Sequence, residues 1–322
     1  MTSIDEWVSA RLRSVRDVAR DIRLFEIAPD EGVMPYQPGS HIDVSVIVDG
    51  EQDKRSYSLV GEPKAETLNI AVKRLSNSRG GSEYMWSLKS GARLTISRPK
   101  NHFELSVGHS EYLLVAGGIG ITPIYGMALS LLRRRSKFRL IYAAQSRPDM
   151  AFADHLREAL GDRLELYPED SHGRVDLATK ILALATDAEI YVCGPVGMLE
   201  AVKRCWCDQG RPQEKLRFET FGSTGHYPSE EFVVSIPHLR REFLVPRNRS
   251  LLETLEAEGI EMISNCRRGE CGVCVVDILG VDSEIDHRDV FFSDSQKAEK
   301  RKMCTCVSRA VGGRLVIETA DR

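Results

Sequence analysis

The stretch Cys266-Arg-Arg-Gly-Glu-Cys271-Gly-Val-Cys274 decides the fold of the C-terminal part of this chain. Its C-x4-C-x2-C spacing is that of a plant-type [2Fe–2S] loop, whose fourth cysteine follows later in the chain. A loop around two irons must turn tightly, and Gly269 and Gly272 permit the backbone angles that such turns need. Zinc sites usually combine one C-x2-C with a second short pair, and the sequence has no such pair. The spacing therefore favours an iron–sulfur cluster over a zinc site or unconnected buried thiols.

Length and composition limit the class of protein. A chain of 322 residues is too long for one ordinary core and predicts two or three domains. Hydrophobic residues make up 42% and charged residues 28%, which is typical of soluble globular proteins. The formal net charge of −3 offers no basic face, so nucleic-acid binding is not expected.

No targeting or membrane segment is expected. The N-terminus lacks a basic segment followed by an apolar one, so no secretory signal is predicted. Tyr112 to Leu132 is uncharged, but its glycines and Pro123 suit a strand, a loop and a buried helix better than a membrane span. Eight cysteines without a signal predict a reducing compartment, and hence a cytoplasmic protein.

Hydrophobic periodicity divides the chain. Residues 1–106 show short alternating strands between Gly, Pro and Asp turns, which predicts an antiparallel β-barrel. Residues 107–224 alternate apolar strands with helices, which predicts an α/β domain with a parallel sheet. Residues 225–231 are polar and predict a linker. Residues 232–322 begin with a predicted hairpin and a helix capped by Ser250 and Glu253, before the cysteine loop.

Two motifs in the barrel predict a phosphate-containing cofactor. Arg55-Ser-Tyr-Ser58 lies on a strand, where residues 55 and 57 share one face and can bind a phosphate and a flat ring. Gly80-Gly-Ser82 precedes a predicted helix, and free N–H groups at a helix start attract anions. A surface arginine, a half-buried tyrosine and a plain turn are the structural alternatives.

Two motifs in the α/β domain predict a dinucleotide site. Gly117-Gly-Ile-Gly-Ile-Thr-Pro123 follows a buried strand and opens a helix, where a pyrophosphate can bind. The standard G-x-G-x-x-G pattern is absent, and tight strand–helix packing is the alternative explanation. Cys193-Gly-Pro195 lies at the end of the predicted last parallel strand, where ligands bind in open α/β sheets.

Taken in order, these motifs resemble the ferredoxin–NADP reductase superfamily. Within it, the chain is similar to the phthalate dioxygenase reductase family, the flavin-dependent reductase components of Rieske oxygenases. The resemblance covers essentially the whole chain, and its motifs run as follows: R-x-Y-S, V-K-R followed by G-G-S, G-G-I-G-I-T-P, C-G-P, F-E-x-F-G, the ferredoxin cysteines and C-V-S-R-A. It implies FMN in the barrel, NADH on the α/β domain, and a [2Fe–2S] cluster in an α+β ferredoxin domain of the β-grasp type.

The resemblance also implies site residues. The FMN residues are Arg55, Ser56, Tyr57, Ser58, Val72, Lys73, Gly80, Gly81, Ser82, Thr122 and Phe221. The NAD residues are Gly117, Gly118, Gly120, Pro123, Asp149, Cys193, Gly194 and Pro195. The residues that line the hydride-transfer site are Ser58, Cys193, Glu219 and Phe221. By this likeness Arg55 and Ser82 hold the FMN phosphate, and the Phe221 ring stacks where the nicotinamide must enter.

Two details depart from the family. Ser146-Arg147 follows the second nucleotide strand, where a positive charge suits the 2′-phosphate of NADPH, whereas the nearby Asp149 favours NADH. The fourth cluster ligand is either Cys304 or Cys306. The chain length from Cys274 favours Cys304, but Cys306-Val-Ser-Arg-Ala matches the closing segment of the family in register. A loop absorbs two residues easily, whereas a strand cannot slip without moving its buried face. We therefore expect Cys266, Cys271, Cys274 and Cys306 as ligands.

The expected function is that of a reductase component of a multicomponent Rieske-type oxygenase. NADH passes hydride to FMN, and single electrons pass through the [2Fe–2S] cluster to the oxygenase, which docks transiently on the ferredoxin domain. Alternatives are the same redox chain feeding a diiron monooxygenase or a cytochrome, or a zinc-stabilised flavin-binding scaffold. The acidic residues Asp282, Glu284, Asp286 and Asp289 suggest either a solvated face or a docking face that attracts a basic partner.

Overall fold

The structure, a computed structural model, describes residues 6–48, 50–75, 80–221, 225 and 227–319. Its internal contacts divide the chain into two units, Met1–Glu219 and Thr220–Arg322. The first unit contains a β-barrel and a parallel sheet, and the second contains a five-stranded sheet and a two-stranded sheet. The domain boundaries proposed from the sequence at residues 106, 224 and 231 stay predictions. Four residues in and next to the predicted linker, Gly222, Ser223, Thr224 and His226, lie outside the described residues.

The barrel is a seven-stranded antiparallel sheet with the order β4-β3-β6-β1-β2-β5, and β7 pairs with β3. A bridge between Leu59 and Ile70 connects the chain just after β4 to β5. Alternate apolar side chains such as Phe25, Ile42 and Ile96 fill the interior, as the period of a strand requires. The elements are β1 (Trp7–Ala19), β2 (Ile22–Pro29), β3 (Ser40–Val48), β4 (Glu51–Ser58), β5 (Leu68–Lys73), α1 (Gly81–Ser87), β6 (Arg93–Ser97) and β7 (Lys100–Asn101).

The second part of this unit is a five-stranded parallel sheet with the order β10-β9-β8-β11-β12. The order reverses between β8 and β11, which makes their carboxyl ends the place where such sheets bind ligands. The strands are β8 (Tyr112–Gly117), β9 (Phe138–Ala144), β10 (Leu164–Pro168), β11 (Glu189–Cys193) and β12 (Leu216–Glu219). The helices are α2 (Ile121–Arg133), α3 (Ala153–Leu160), α4 (Glu169–His172), α5 (Leu177–Leu182) and α6 (Val196–Asp208).

The uncharged stretch from Tyr112 to Leu132 is a buried strand, a single 3-10 turn and a helix, as the sequence predicts. Among the described residues, no helix is long and apolar enough to cross a membrane. Helix α2 packs on the barrel through Gly126, where a Cβ would lie 2.6 Å from the carbonyl oxygen of Gly61. A glycine at this position therefore lets the helix approach the barrel closely.

The C-terminal unit has a five-stranded sheet with the order β14-β13-β19-β15-β17. Its central pair, β13 and β19, is parallel, while the flanking pairs are antiparallel. Ser250 and Glu253 form the predicted capping box of α7, which buries Leu251 and Leu255 against the sheet. The elements are β13 (Phe232–Ile236), β14 (Arg241–Val245), α7 (Leu251–Ala257), β15 (Val275–Val281), β16 (Ile285–Asp286), α8 (Asp294–Ala298), β17 (Lys302–Cys304), β18 (Arg309–Ala310) and β19 (Arg314–Glu318).

Two buried arginines bind the segment that precedes β13. Arg288 donates to the carbonyl oxygen of Tyr227 at 3.3 Å and to the hydroxyl of Ser229 at 3.0 Å. Arg309 donates to the carbonyl oxygen of Glu230 at 2.9 Å. These three residues belong to the predicted linker, and here they are attached to the C-terminal unit by charge-assisted hydrogen bonds.

Candidate active site and cofactor sites

Arg55 is held in place by its neighbours. Its Nη1 donates to the Asp53 carboxylate at 2.6 Å and to the Lys54 carbonyl oxygen at 2.8 Å. The side chain lies against the backbone of Gly81, where a Cβ would be 2.6 Å from the Arg55 Nε. The structure thus brings Arg55 and the Gly80-Gly81 turn together. Asp53 was not predicted from the sequence, although residues two apart on a strand share one face.

The remaining residues predicted for the flavin are divided between two faces. Tyr57 is on the same face as Arg55, and burial raises its pKa above the usual value. Ser56 is exposed on the opposite face, and its hydroxyl donates to Asp43. The carbonyl oxygen of Val72 accepts a hydrogen bond from the Trp86 indole at 3.2 Å. The structure therefore groups Arg55 and Tyr57 but does not bring the Ser56 side chain to them.

The predicted hydride-transfer residues of the first unit converge at the strand ends. Cys193 and Glu219 are the last residues of β11 and β12 and are paired in register. Ser58, the last residue of β4, donates its hydroxyl to the Glu219 carboxylate at 3.1 Å. All three side chains are buried. A serine from the barrel and a carboxylate from the parallel sheet thus meet directly at the carboxyl edge of that sheet.

Two further predicted residues differ in their surroundings. Thr122, near the start of α2, is buried, and its hydroxyl donates to the Ile119 carbonyl oxygen at 3.0 Å. Phe221 is 46% exposed and is the second residue of the C-terminal unit. Its predicted place beside the flavin stays a prediction.

The glycine loop after β8 combines packing and open space. A Cβ at Gly120 would lie 2.1 Å from the Cys193 carbonyl oxygen, and one at Gly117 would lie 2.5 Å from the Pro195 ring. These two glycines let the loops after β8 and β11 pack closely together. Tight packing was the alternative to pyrophosphate binding that the sequence offered for this motif. Gly118 is different, because among the described residues, apart from its chain neighbours, no heavy atom lies within 4 Å of its Cβ position. Its backbone is the part of the loop that a pyrophosphate can approach.

The chain just after β9 contains a carboxylate, Asp149, and an arginine, Arg147, each of which is paired with other side chains. The Ser146 hydroxyl donates to Asp149 at 2.6 Å, and the Arg20 guanidinium lies 3.7 Å from the same carboxylate. Arg147 forms an ion pair with Asp154 at 2.5 Å. The positive charge considered for a 2′-phosphate is therefore paired within the protein.

The cysteine loop has the backbone that an iron–sulfur cluster needs. The N–H groups of Arg268 and Glu270 both point at the Cys266 sulfur, at 3.4 Å. Gly269 and Gly272 have φ angles of +75° and +71°, in the left-handed region that favours glycine. A Cβ at Gly272 would also lie 2.2 Å from the Phe291 ring. Anionic sulfur surrounded by N–H groups is typical of cluster loops, so these residues fit the group.

Other thiols lie close to this loop. The thiols of Cys304 and Cys306 both donate hydrogen bonds to Cys274 and lower its pKa to about 3. The N–H of Gly269, on the loop itself, donates to Cys306. Within the part of the chain that the structure describes, no group of three or more His, Cys, Asp or Glu side chains is arranged to hold a metal ion. The choice between Cys304 and Cys306 stays a prediction.

The acidic segment does not form the continuous docking face considered from the sequence. Asp286 and Asp289 are each only 2% exposed. Asp286 accepts a hydrogen bond from Arg288 at 2.7 Å, and Asp289 accepts one from the Ser308 hydroxyl at 3.0 Å. Both carboxylates are buried and have the hydrogen-bond partners that burial requires, so they are not part of an exposed face. Only Asp282 and Glu284 of this group are exposed.

Family models match three consecutive parts of the chain. The model described as an oxidoreductase FAD-binding domain matches residues 9–105, which form the barrel. The oxidoreductase NAD-binding domain matches residues 114–204, within the parallel sheet. The 2Fe-2S iron-sulfur cluster binding domain matches residues 236–311, including the cysteine loop. The chain is therefore an oxidoreductase with flavin-, NAD- and [2Fe–2S]-binding domains, and the zinc alternative is not supported.

Similar proteins extend this match over nearly the whole length. Tetrachlorobenzoquinone reductase of Sphingobium chlorophenolicum is 36% identical over 99% of this chain and 100% of its own. The TsaB1 reductase subunit of the toluene-4-sulfonate monooxygenase system of Comamonas testosteroni is 33% identical over 97% and 98%. The solved structure of phthalate dioxygenase reductase, described as a modular structure for electron transfer from pyridine nucleotides to [2Fe–2S], is 30% identical. It aligns with a TM-score of 0.80 over 97% of this chain and 98% of that chain. The chain belongs to the family of flavin and [2Fe–2S] reductases that includes phthalate dioxygenase reductase and the reductase subunits of oxygenase systems.

Proposed function

We propose that this protein takes hydride from NADH onto FMN and delivers single electrons through its [2Fe–2S] cluster to the oxygenase component of a multicomponent system. The observation that carries the proposal is the contact between Ser58 and Glu219 at 3.1 Å. It joins the end of a barrel strand to the end of a nucleotide-domain strand, where a flavin ring and a nicotinamide have to meet. The cofactors supply the redox chemistry, and the protein orients them and excludes water.

Within this site the chain has positioning roles. Ser58 and Cys193 are proposed to line the place where the two rings stack, and Glu219 is fixed by the Ser58 hydroxyl. Orientation of two bound reactants contributes a large share of the rate in such transfers. Phe221 is proposed to cover the nicotinamide position and to move aside when NADH binds. We propose no side chain as general acid or base for the hydride step.

We propose FMN as the flavin because the described barrel residues bring the Arg55 side chain and the Gly80-Gly81 turn together, and a phosphate can bind there. Arg55 is fixed by Asp53 and lies against Gly81. Ser82 follows this turn, and its hydroxyl accepts from the Leu75 N–H at 3.5 Å. A terminal phosphate fits such a site. Chromatography of the released flavin is expected to give FMN, and FAD as the main species would contradict this proposal.

Replacing Arg55 tests the same site quantitatively. We expect Arg55→Ala to weaken FMN binding about 10- to 100-fold, because a hydrogen bond to a charged group contributes about 1.5–3 kcal/mol. Quenching of FMN fluorescence measures the affinity. Arg93→Ala is the matched control, since Arg93 is an exposed barrel arginine paired with Asp30 at 2.7 Å. Equal affinity of the two variants would remove Arg55 from the phosphate site.

NADH is proposed as the preferred nucleotide. Asp149 and Ser146 lie at the end of β9, where a carboxylate suits a ribose hydroxyl and repels a 2′-phosphate. Arg147 is paired with Asp154, so its charge is already compensated. Comparison of flavin reduction by the two nucleotides should show the preference, and Asp149→Asn should reduce it. Equal or better use of NADPH by the unaltered protein would refute it.

Docking of the oxygenase is proposed at the exposed apolar side chains around the cysteine loop. Ile263, Val273 and Phe291 are 55%, 40% and 47% exposed, and the Phe291 ring contacts Gly272 of the loop. Electron transfer slows steeply with distance, so the acceptor must approach the cluster where the loop meets solvent. A cytochrome or a diiron protein, the alternative acceptors considered from the sequence, would need the same surface.

The docking proposal is tested with Phe291→Ala and a matched control. Leu244 is similarly exposed, at 49%, but lies on β14 at the opposite edge of the sheet. We expect Phe291→Ala to slow electron transfer to the oxygenase about tenfold, the range for an aromatic interface anchor. Leu244→Ala should leave it unchanged, and cluster reduction by NADH should be normal in both. Equal behaviour of the two variants would exclude this surface.

A further inference from the structure

Glu270, on the cysteine loop, binds the residue next to Phe221. The carboxylate oxygen Oε1 of Glu270 accepts hydrogen bonds from the Thr220 N–H at 2.5 Å and from the Thr220 hydroxyl at 2.9 Å. The Thr220 hydroxyl also lies 3.5 Å from the Arg268 carbonyl oxygen. Thr220 is 3% exposed. All of these contacts lie within the C-terminal unit, which begins at Thr220.

The hydrogen bonds of Thr220 matter because of the two residues next to it in the chain. Thr220 directly follows Glu219 and directly precedes Phe221. Consecutive Cα atoms are about 3.8 Å apart, so fixing both donors of Thr220 restricts where the Phe221 backbone can lie. The Phe221 side chain itself is 46% exposed. A ring on a fixed backbone keeps freedom only about its own side-chain torsions.

Glu270 also belongs to the surroundings of the cluster. Its own N–H donates to the sulfur of Cys266 at 3.4 Å. One residue therefore contacts a proposed cluster ligand with its backbone and holds the chain beside Phe221 with its side chain. Nothing in the C-x4-C-x2-C pattern requires a carboxylate at the fourth x, where a ligand loop needs only a backbone N–H.

We propose that Glu270 is a positioning residue for Phe221, through which the iron–sulfur loop influences nicotinamide access to the flavin. The proposal rests on the proposed role of Phe221 as the ring that covers the nicotinamide position. A ring that is held in place competes with the nicotinamide, so the apparent nucleotide affinity falls with the fraction of protein in which the ring is aside. Releasing Thr220 from Glu270 increases that fraction.

The test is equilibrium binding of NAD⁺ to the oxidised holoprotein, followed by the change in flavin absorbance. Glu270→Ala is expected to bind NAD⁺ about three- to tenfold more tightly, as loosening of a competing ring predicts. Glu270→Gln should stay within about twofold of the unaltered protein, because an amide oxygen can accept both hydrogen bonds. Its lost charge should instead change the midpoint potential of the cluster.

Two further variants keep the test decisive if Glu270→Ala disturbs the cluster loop. Thr220→Val removes the hydroxyl donor but changes no residue of the loop, and it should increase NAD⁺ affinity to a smaller extent. Glu256→Ala removes the 3.0 Å contact of Glu256 with Arg267 of the same loop but leaves Thr220 in place. It should leave NAD⁺ affinity unchanged.

Phe221→Ala separates this inference from the proposed function. If Phe221→Ala does not alter NAD⁺ affinity, the proposed role of Phe221 is wrong. If it does alter the affinity while Glu270→Ala and Thr220→Val do not, the role of Phe221 stands and the positioning role of Glu270 is refuted. An equal response to Glu256→Ala and Glu270→Ala would also refute it, since both disturb the loop but only one releases Thr220.

Discussion

Cys304 and Cys306 present the sharpest choice at the scale of single residues. Both lie against Cys274, but the Gly269 N–H, which belongs to the loop, donates to Cys306. We expect Cys306→Ala to abolish the visible absorbance and iron content of the cluster, because a ligand thiolate is lost. Cys304→Ala should largely retain both, as it only creates a small cavity beside the cluster. Iron analysis and absorbance of the two variants decide the matter, and the reverse pattern would make Cys304 the ligand.

Residue chemistry that is local in the chain could be predicted from the sequence, and chemistry between distant residues could not. The cysteine spacing and the left-handed glycines predicted the cluster loop, because the turn is made by neighbouring residues. The sequence predicted Asp286 and Asp289 on the surface, but both are buried, with Arg288 and Ser308 as their hydrogen-bond donors. The hydrogen bond between Glu270 and Thr220 joins residues fifty positions apart, so no local sequence pattern predicts it.

Gly126 tests the packing of an element. Gly126→Ala would place a methyl group 2.6 Å from the Gly61 carbonyl oxygen, so helix α2 must shift away from the barrel. We expect a loss of about 1–3 kcal/mol in the free energy of unfolding of the first unit, the usual cost of overpacking. Slower flavin reduction by NADH should accompany it, because Thr122 lies on the same helix. Both are measurable, by chemical denaturation and by stopped-flow absorbance.

Gly197→Ala is the matched control for this helix substitution. Gly197 is in α6, has no positive φ and has no atom within 4 Å of its Cβ position. Alanine there should be neutral or stabilise by about 0.5–1 kcal/mol, the ordinary helix preference over glycine. Similar losses in the two variants would mean that the contact with Gly61 is not what limits the size of residue 126.

Elements with regular periodicity were predictable, and an irregular one was missed. The alternating strands of the barrel, the buried strand β8 and the capped helix α7 were predicted from their patterns. The strand that ends at Cys193 was predicted to be the last parallel strand, but β12 follows it and pairs with it in parallel. The longest strand, β1, carries two register shifts, between Leu12 and Ser14 and between Asp17 and Ala19. Each shift exchanges the inward-facing and outward-facing positions along the strand. The alternation of apolar and polar residues is therefore interrupted, although β1 lies in the middle of the sheet, between β6 and β2.

At the scale of the whole molecule, the two units are expected to respond separately to damage. Arg288→Ala removes the guanidinium that forms an ion pair with the buried Asp286, and breaking a buried pair costs about 3–5 kcal/mol. It also frees Tyr227 and Ser229. We expect the temperature at which the cluster absorbance is lost to fall, while the temperature of flavin release stays unchanged. Arg247→Ala, at an exposed position of the same unit, should change neither. Equal shifts of both transitions would contradict independent units.

The central claim is that one chain passes electrons from NADH through a flavin to a [2Fe–2S] cluster. An anaerobic titration of the purified holoprotein with NADH tests it most directly, with visible absorbance and electron paramagnetic resonance recorded on the same samples. The account predicts that the flavin and cluster bands bleach together and that the resonance of a reduced [2Fe–2S] cluster appears, without any added protein. Bleaching of the flavin alone, with no such resonance, would contradict it.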